Sequence, residues 1–273
     1  MALIQVNFMS KALLRTVTVN VILPVDKFSL TGNTKETEKQ YKTLYLLHGI
    51  FGNYTDWIAG TDILRLAQAR DLAVVMPSGE NGFYLDQPEQ GRNYATFIGE
   101  ELVEITRKMF PLSRKREDTF IGGLSMGGYG AIRNGLKYSD TFGRILGFSS
   151  ALHILEDVES NQNRNIAYEE SCFGKLTEAV KTDKNPRVLI ERLAEGPAEK
   201  RPLLFLACGT EDSLIDVNRR YRDLFRTNGF DITYYESPGN HDWDFWAHYI
   251  KVALDWLPLE TGSQGVNSGN VTG

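Results

Sequence analysis

The segment TFIGGLSMGGYGAIRNGLKY, residues 119–138, decides the fold of this 273-residue chain. It opens as an apolar β-type run, passes through Gly122, Gly123, Gly127 and Gly128 around Ser125, and continues as a helix-compatible sequence. A strand that turns directly into a helix is the building unit of a parallel sheet with helices packed on it. We therefore predict an α/β fold with a mostly parallel central sheet and helices on both faces.

Ser125 is the candidate nucleophile. Gly123 and Gly127 stand two residues before and after it, which is the G-x-S-x-G spacing of a nucleophile elbow. A serine in such a strained turn needs neighbours without side-chain bulk. The helix that follows directs N–H groups and the positive end of its dipole at any oxyanion formed there. A glycine-rich turn with a purely structural role can show the same pattern. A catalytic role for Ser125 therefore requires a base and an acid elsewhere in the chain.

The rest of the chain alternates between apolar strand-like runs and helical patterns. We predict strands over residues 3–9, 13–23, 41–47, 72–76, 145–148, 203–208 and 232–235. Apolar residues at spacings of four, three and four predict one helix over 97–109. Residues 1–258 are predicted to form a single domain, with 152–201 as a cap-like insertion over the top of the sheet. Residues 259–273 have too little apolar content to fold, so we expect a disordered tail.

The composition of the chain indicates which classes of binding partner to expect. The net charge is -5, and no dense basic cluster is present to neutralise phosphates, so we expect no nucleic-acid partner. No signal peptide or membrane-length apolar stretch is seen, so we expect no membrane partner. Cys172 and Cys208 form no disulfide framework, and reduced thiols favour a cytoplasmic protein. The sequence leaves homo-oligomerisation open.

A serine nucleophile needs a base, and the chain has four histidines. In elbow hydrolases the partners follow in the order Ser, Asp or Glu, His, which disfavours His48. His153 comes before every acidic residue that lies in a loop after a strand and could orient it, so this order disfavours His153 as well. His241 lies in a turn-rich loop between a strand and the last helix, where its side chain can reach the carboxyl edge of the sheet. His248 falls inside the final helix pattern, so we choose His241 as the base.

The orienting acid should also leave the end of a strand. The predicted strand 203–208 runs into the segment GTEDS, which offers Glu211 and Asp212, with Asp216 one helical turn further on. We choose Asp212, and interpret the other two as surface or helix N-terminal acids. A carboxylate here would hold the imidazole tautomer and stabilise the imidazolium as it forms.

An oxyanion hole requires two hydrogen-bond donors. We predict the N–H of Met126, the residue after the nucleophile, and the N–H of Ile50 in the loop HGIFG, residues 48–52. His48 is interpreted as a structural residue of that loop, hydrogen-bonded to the backbone.

Three bulky aromatic residues near the predicted site are candidate substrate contacts: Phe51, Trp57 and Trp243. Simple core packing is the alternative interpretation for Trp243. If they line the acyl pocket, they shorten it and favour short acyl chains.

Four ordered motifs together resemble one known family: HG at 48–49, GLSMGG at 123–128, GTED at 209–212 and GNH at 239–241. The chain resembles the esterase D family of α/β-hydrolases, most closely its bacterial tributyrin esterases, over roughly residues 3–257. The resemblance implies an α/β-hydrolase fold and a serine carboxylesterase that acts on small short-chain esters without a metal or cofactor.

Other activities of the same site stay open. The family includes S-formylglutathione hydrolases and feruloyl esterases. The chain departs from the former at residues 48–50, where those enzymes have a Ser-Gly-Leu-Thr-Cys type of loop, and at Tyr129, where they tend to have histidine. An acyltransferase would use the same triad with an alcohol as acceptor. A ligand-binding protein without turnover is a further alternative, although binding alone needs no serine at a strained turn.

Overall fold

The computed structural model describes residues 1–27, 39–156, 158, 165–260 and 265–266. Most of the predicted tail 259–273 lies outside these ranges. So do residue 157 and residues 159–164, which belong to the polar opening of the predicted insertion.

An eight-stranded sheet forms the centre of the molecule. The strands of the protein are β1 (Ala2–Ser10), β2 (Arg15–Leu23), β3 (Lys42–Leu47), β4 (Leu72–Pro77), β5 (Asp86–Gln87), β6 (Arg92–Asn93), β7 (Thr119–Leu124), β8 (Arg144–Phe148), β9 (Leu203–Gly209) and β10 (Ile232–Ser237). The sheet order is β1-β2-β4-β3-β7-β8-β9-β10, while β5 and β6 pair separately. β2 pairs antiparallel with β1 and β4, and every pair from β4 to β10 is parallel. The predicted mostly parallel sheet is confirmed.

Helices cover both faces of this sheet. They are α1 (Asp56–Gly60), α2 (Ile63–Ala69), α3 (Tyr94–Thr96), α4 (Leu102–Met109), α5 (Met126–Lys137), α6 (Ile166–Phe173), α7 (Leu176–Ala179), α8 (Pro186–Ala194), α9 (Ile215–Thr227) and α10 (Trp243–Trp256). Neighbouring strand residues point to opposite faces, so Ile121 belongs to the apolar cluster that includes residues of α4, α5 and α9, whereas Phe120 belongs to the cluster that includes residues of α1, α2 and α10. This two-sided burial explains the continuous apolar runs of the parallel strands.

Two of the differences between the predicted and the observed elements have a local structural cause. The helix predicted over 97–109 is α4 preceded by a π-helical segment, Phe97–Glu101. Gly99 lies in that segment against the ring of Tyr138, where a β-carbon would come within 2.2 Å of ring carbons. Glycine has a low helix propensity, so a glycine that this close contact requires favours a departure from the regular α-helix. The second strand begins at Arg15 rather than at residue 13, because the chain turns at Leu14 with a φ of 51°.

The described part of the predicted insertion packs against the flank of α5. Apolar residues of α7 and α8 join the cluster that covers one face of the sheet. The buried guanidinium of Arg133 on α5 pairs with Asp183 at 2.8 Å, and the Tyr129 hydroxyl donates to the Lys184 carbonyl. A buried cation needs such a partner, so these contacts hold the segment before α8 beside α5.

The carboxyl ends of the parallel strands share one edge of the sheet. The loops that leave β3, β7, β8, β9 and β10 therefore meet there, which is where open α/β sheets place their sites. Across the described ranges, every helix is too short or too polar to span a bilayer.

Candidate active site

Ser125 occupies a strained turn between β7 and α5. Its backbone has φ 53° and ψ −117°, a region that non-glycine residues rarely adopt. A β-carbon at Gly123 would lie 2.3 Å from the Gly127 carbonyl oxygen, and one at Gly127 would lie 2.5 Å from the carbonyl oxygens of Leu47 and His48. The turn can close because both flanking residues are glycine. The strain holds the serine at the carboxyl edge of the sheet.

The structure brings Ser125, His241 and Asp212 into one hydrogen-bonded chain. His241 Nε2 lies 2.9 Å from Ser125 Oγ, and His241 Nδ1 lies 2.8 Å from Asp212 Oδ2. An ionised carboxylate only accepts hydrogen bonds, so Nδ1 carries the imidazole proton and Nε2 is left to accept from the serine hydroxyl. This is the geometry that a serine nucleophile and its base require.

Asp212 is held in its ionised form. It lies at the end of β9 and is 2 % exposed, and burial by itself would raise the pKa of its carboxyl group. Hydrogen bonds from His241, the Leu214 N–H and Ser149 outweigh burial, so the pKa of Asp212 lies below its usual value. The Leu214 N–H donates to Oδ1 at 2.8 Å, leaving Oδ2 for the histidine. The carboxylate can therefore stabilise an imidazolium at neutral pH.

The alternative acids and the alternative histidine have other contacts. The Glu211 carboxylate accepts hydrogen bonds from the Gly239 N–H and from the Thr210 hydroxyl. Asp216 is exposed and pairs with Arg219 at 3.5 Å. His248 lies within α10, with its ring against that of Tyr249 at a centroid distance of 4.9 Å.

The two predicted oxyanion donors flank Ser125. A β-carbon at Gly49 would lie 2.6 Å from Leu124 Cδ1 and 3.5 Å from Ser125 Cβ, so the loop 48–52 runs directly beside the nucleophile. Within the described ranges, neither the Ile50 N–H nor the Met126 N–H donates to a protein acceptor. Two unpaired amides next to a serine hydroxyl can bind a developing oxyanion.

Asn81 fixes that loop, and sequence reasoning missed it. Its Oδ1 accepts the Phe51 N–H at 2.8 Å, one residue after Ile50. Asn81 stands 30 residues away in a turn-rich stretch with no motif spacing, so its sequence carried no signal.

His48 also stabilises the loop 48–52 through hydrogen bonds. Its Nδ1 lies 2.6 Å from the Gly49 carbonyl oxygen, and its Nε2 accepts the Gly79 N–H at 2.8 Å. Burial lowers the pKa of His48, which keeps the ring neutral and able to accept at Nε2. Both ring nitrogens are engaged, as expected for the structural role predicted for this residue.

The three aromatic residues predicted to contact substrate differ in position. Phe51 is 85 % exposed at the tip of the loop 48–52. Trp57 is 1 % exposed and donates its Nε1–H to the Leu47 carbonyl at 2.9 Å, so it packs in the core. The Trp243 ring lies against Trp57, with centroids 5.5 Å apart. Substrate contact by these residues stays a prediction.

Comparison with known proteins identifies the family of this chain. Residues 10–257 match the model of the Esterase family. An acetyl esterase of Caldicellulosiruptor saccharolyticus is 43 % identical over 262 residues, covering 94 % of this chain and 98 % of that protein.

Two solved structures from Staphylococcus aureus are similar. One is FphF, a fluorophosphonate-binding serine hydrolase, with a TM-score of 0.81 and 32 % identity. The other is FrmB, an S-formylglutathione hydrolase, with a TM-score of 0.80 and 31 % identity. Each comparison covers 94 % of this chain and 98 % of the other. The chain therefore belongs to the Esterase family, has an α/β-hydrolase fold and is a hydrolase that acts on esters.

Proposed function

We propose that this esterase hydrolyses short-chain acyl esters, with Ser125 as nucleophile, His241 as base and Asp212 as orienting acid. The observation that carries the proposal is the unbroken chain of hydrogen bonds from Asp212 through both nitrogens of His241 to Ser125 Oγ. The similarity to known esterases supports an ester as the substrate, and the chain of contacts supports the role proposed for each residue.

The reaction follows from these positions. As Ser125 Oγ attacks the ester carbonyl carbon, its proton passes to His241 Nε2, and Asp212 stabilises the imidazolium. The carbonyl oxygen becomes an oxyanion that accepts from the N–H groups of Ile50 and Met126. The bond to the leaving oxygen then breaks, His241 returns the proton to the departing alcohol, and an acyl-enzyme remains on Ser125. Water, activated by the same histidine, releases the carboxylic acid.

Preference for short acyl groups has two supports. The relative with 43 % identity is named an acetyl esterase, and acetate is a two-carbon acyl group. The half-buried Trp243 stands next to His241, with its ring perpendicular to that of the buried Trp246 at a centroid distance of 5.3 Å. A rigid aromatic ring beside the base limits the length of chain that fits.

A thioester is the second candidate substrate, because the FrmB structure carries the name S-formylglutathione hydrolase. The departures at residues 48–50 and at Tyr129 argue against it. Here the Tyr129 hydroxyl is already bonded to the Lys184 carbonyl, so that side chain is engaged in packing. Transfer to an alcohol uses the same triad, and binding without turnover is the remaining alternative.

The test is hydrolysis of p-nitrophenyl acetate by the wild type and by Ser125→Ala. Loss of the nucleophile should lower kcat by a factor on the order of 10⁴ to 10⁶, and a fluorophosphonate probe should label Ser125. Added alcohols separate hydrolysis from transfer, and S-formylglutathione tests the thioester. Near wild-type activity in Ser125→Ala, or labelling at another residue, would overturn the proposal.

A further inference from the structure

We infer that Trp246 is a positioning residue that holds His241 in register with Ser125, and that Ser149 holds the Trp246 indole in place. The inference rests on the proposed function, since it concerns the base of that triad. Neither residue belongs to a motif of the sequence, and neither is placed to touch the reacting atoms. Their action is through His241.

Ser149 stands at a strained backbone position next to the site. It directly follows β8, is fully buried and has a φ of 46°. Its N–H donates to the Ala207 carbonyl at 2.8 Å, which fixes it to β9, the strand that leads to Asp212. A non-glycine residue with positive φ has an energetic cost, and such residues concentrate at functional sites.

The side chain of Ser149 holds the indole of Trp246. Trp246 Nε1–H donates to Ser149 Oγ at 3.1 Å. An indole can only donate, so the serine oxygen is the acceptor. Because Ser149 is fixed to β9, this hydrogen bond ties the Trp246 ring to the strand that leads to Asp212.

Trp246 in turn constrains the base. Its ring is perpendicular to the His241 imidazole, at 89°, with centroids 5.0 Å apart. It is 6 % exposed and anchored on α10, so the ring cannot swing away without disturbing the core. The indole, held by Ser149, thus limits the movement of the imidazole.

The neighbouring Ser150 provides a matched control. It is also fully buried, but within the described part of the chain its hydroxyl has no hydrogen-bond partner. Ser149→Ala and Ser150→Ala therefore delete the same atom one residue apart. Trp246→Phe keeps an aromatic ring and removes only the N–H donor.

The experiment measures kcat and KM for p-nitrophenyl acetate in these variants and in the double variant Ser149→Ala/Trp246→Phe. We expect Ser149→Ala to lower kcat by a factor of about three to ten, because the Trp246 indole loses its hydrogen-bond acceptor, with KM little changed and Ser150→Ala near wild type. Because both side chains act through one hydrogen-bonded chain, the double variant should lose less than the product of the two single losses.

A second readout reports on the triad itself. The Nδ1 proton of His241 should give a low-field proton resonance, because its hydrogen bond to Asp212 protects it from exchange. This signal should shift or broaden in Ser149→Ala and in Trp246→Phe, and persist in Ser150→Ala. If Ser149→Ala fails to fold, as thermal unfolding would show, Trp246→Phe supplies the test.

The inference is overturned if Ser149→Ala and Trp246→Phe match Ser150→Ala in kcat and in the low-field resonance while Ser125→Ala is inactive. Full activity of Ser125→Ala would instead overturn the proposed function, so the two failures are distinguishable.

Discussion

Glu211 and Gly239 are hydrogen-bonded to each other twice. The Glu211 N–H donates to the Gly239 carbonyl at 3.1 Å, and the Gly239 N–H donates to the Glu211 carboxylate. The pair joins the loop after β9, which carries Asp212, to the loop after β10, which carries His241. It therefore sets the separation between the proposed acid and base. Gly239 has a φ of 155°, and a β-carbon there would lie 2.6 Å from Phe245, so the loop requires glycine at this point.

The hydrogen bonds between Glu211 and Gly239 predict that substitution of Glu211 lowers activity less than substitution of the adjacent Asp212. Glu211→Gln keeps an oxygen that can accept the Gly239 N–H, so we expect kcat for p-nitrophenyl acetate close to wild type. Glu211→Ala removes the acceptor and should lower kcat by less than about tenfold. Asp212→Asn should cost on the order of 10³ to 10⁴, because the amide favours the wrong imidazole tautomer. The exposed Asp216→Asn is the control. A loss in Glu211→Gln equal to that in Asp212→Asn would contradict this assignment of roles.

Activity should rise with pH through a single ionisation. The base must be neutral to accept the serine proton, so the reaction requires the unprotonated imidazole. The lowered pKa of Asp212 keeps its carboxylate ionised at neutral pH, so it adds no second step. The measurement is kcat/KM against pH. His241→Ala should abolish activity and His248→Ala should leave most of it, and the reverse result would transfer the base role to His248.

His48 should make folding stability depend on pH. Burial lowers its pKa, so below about pH 6.5 the unfolded chain binds a proton that the folded protein excludes. The stability due to neutral His48 is present above about pH 6.5 and is lost as the pH falls through the lowered pKa. Each pH unit in that window costs up to about 1.4 kcal/mol of unfolding free energy.

This contribution is measured by urea unfolding of the wild type and of His48→Gln. The two proteins are compared at about pH 7.5 and about pH 5.5, which lie on either side of the ordinary histidine pKa of about 6.5. The variant should be less stable at the higher pH but should lose less stability on acidification. An equal loss in both proteins would assign the acid sensitivity to other groups.

The acyl chain length should be limited by the packed aromatic residues. Each methylene that fits adds about 0.8 kcal/mol of burial, whereas one that does not fit meets a packed wall. For p-nitrophenyl esters from acetate to laurate, we expect kcat/KM to be highest at about two to four carbons. A maximum at eight or more carbons, or a jump in rate above the solubility limit of the substrate, would contradict the prediction.

Phe51 is the most exposed of the three predicted substrate contacts, so Phe51→Ala should change the chain-length profile. Trp57→Phe removes the hydrogen bond to the Leu47 carbonyl and should lower thermal stability instead.

Local patterns in the sequence were enough to predict the fold class and the three proposed catalytic side chains. The apolar runs predicted the strands because parallel strands covered on both faces exclude polar residues. The spacing of Gly123 and Gly127 predicted the turn at Ser125, since only glycine leaves room for the backbone contacts observed there. Asp212 and His241 followed from the rule that side chains after strand ends meet at one edge of the sheet.

Contacts between distant segments could only be read from the tertiary structure. Asn81 on Phe51, Glu211 on Gly239, and Trp246 on Ser149 each join residues that no periodicity or motif connects. The burial of Trp57 and the position of the insertion beside α5 also depend on contacts between distant segments. A local pattern reports what one residue requires of its neighbours along the chain. A hydrogen bond between loops depends instead on how the whole sheet brings their ends together, so its partners are determined only once the chain has folded.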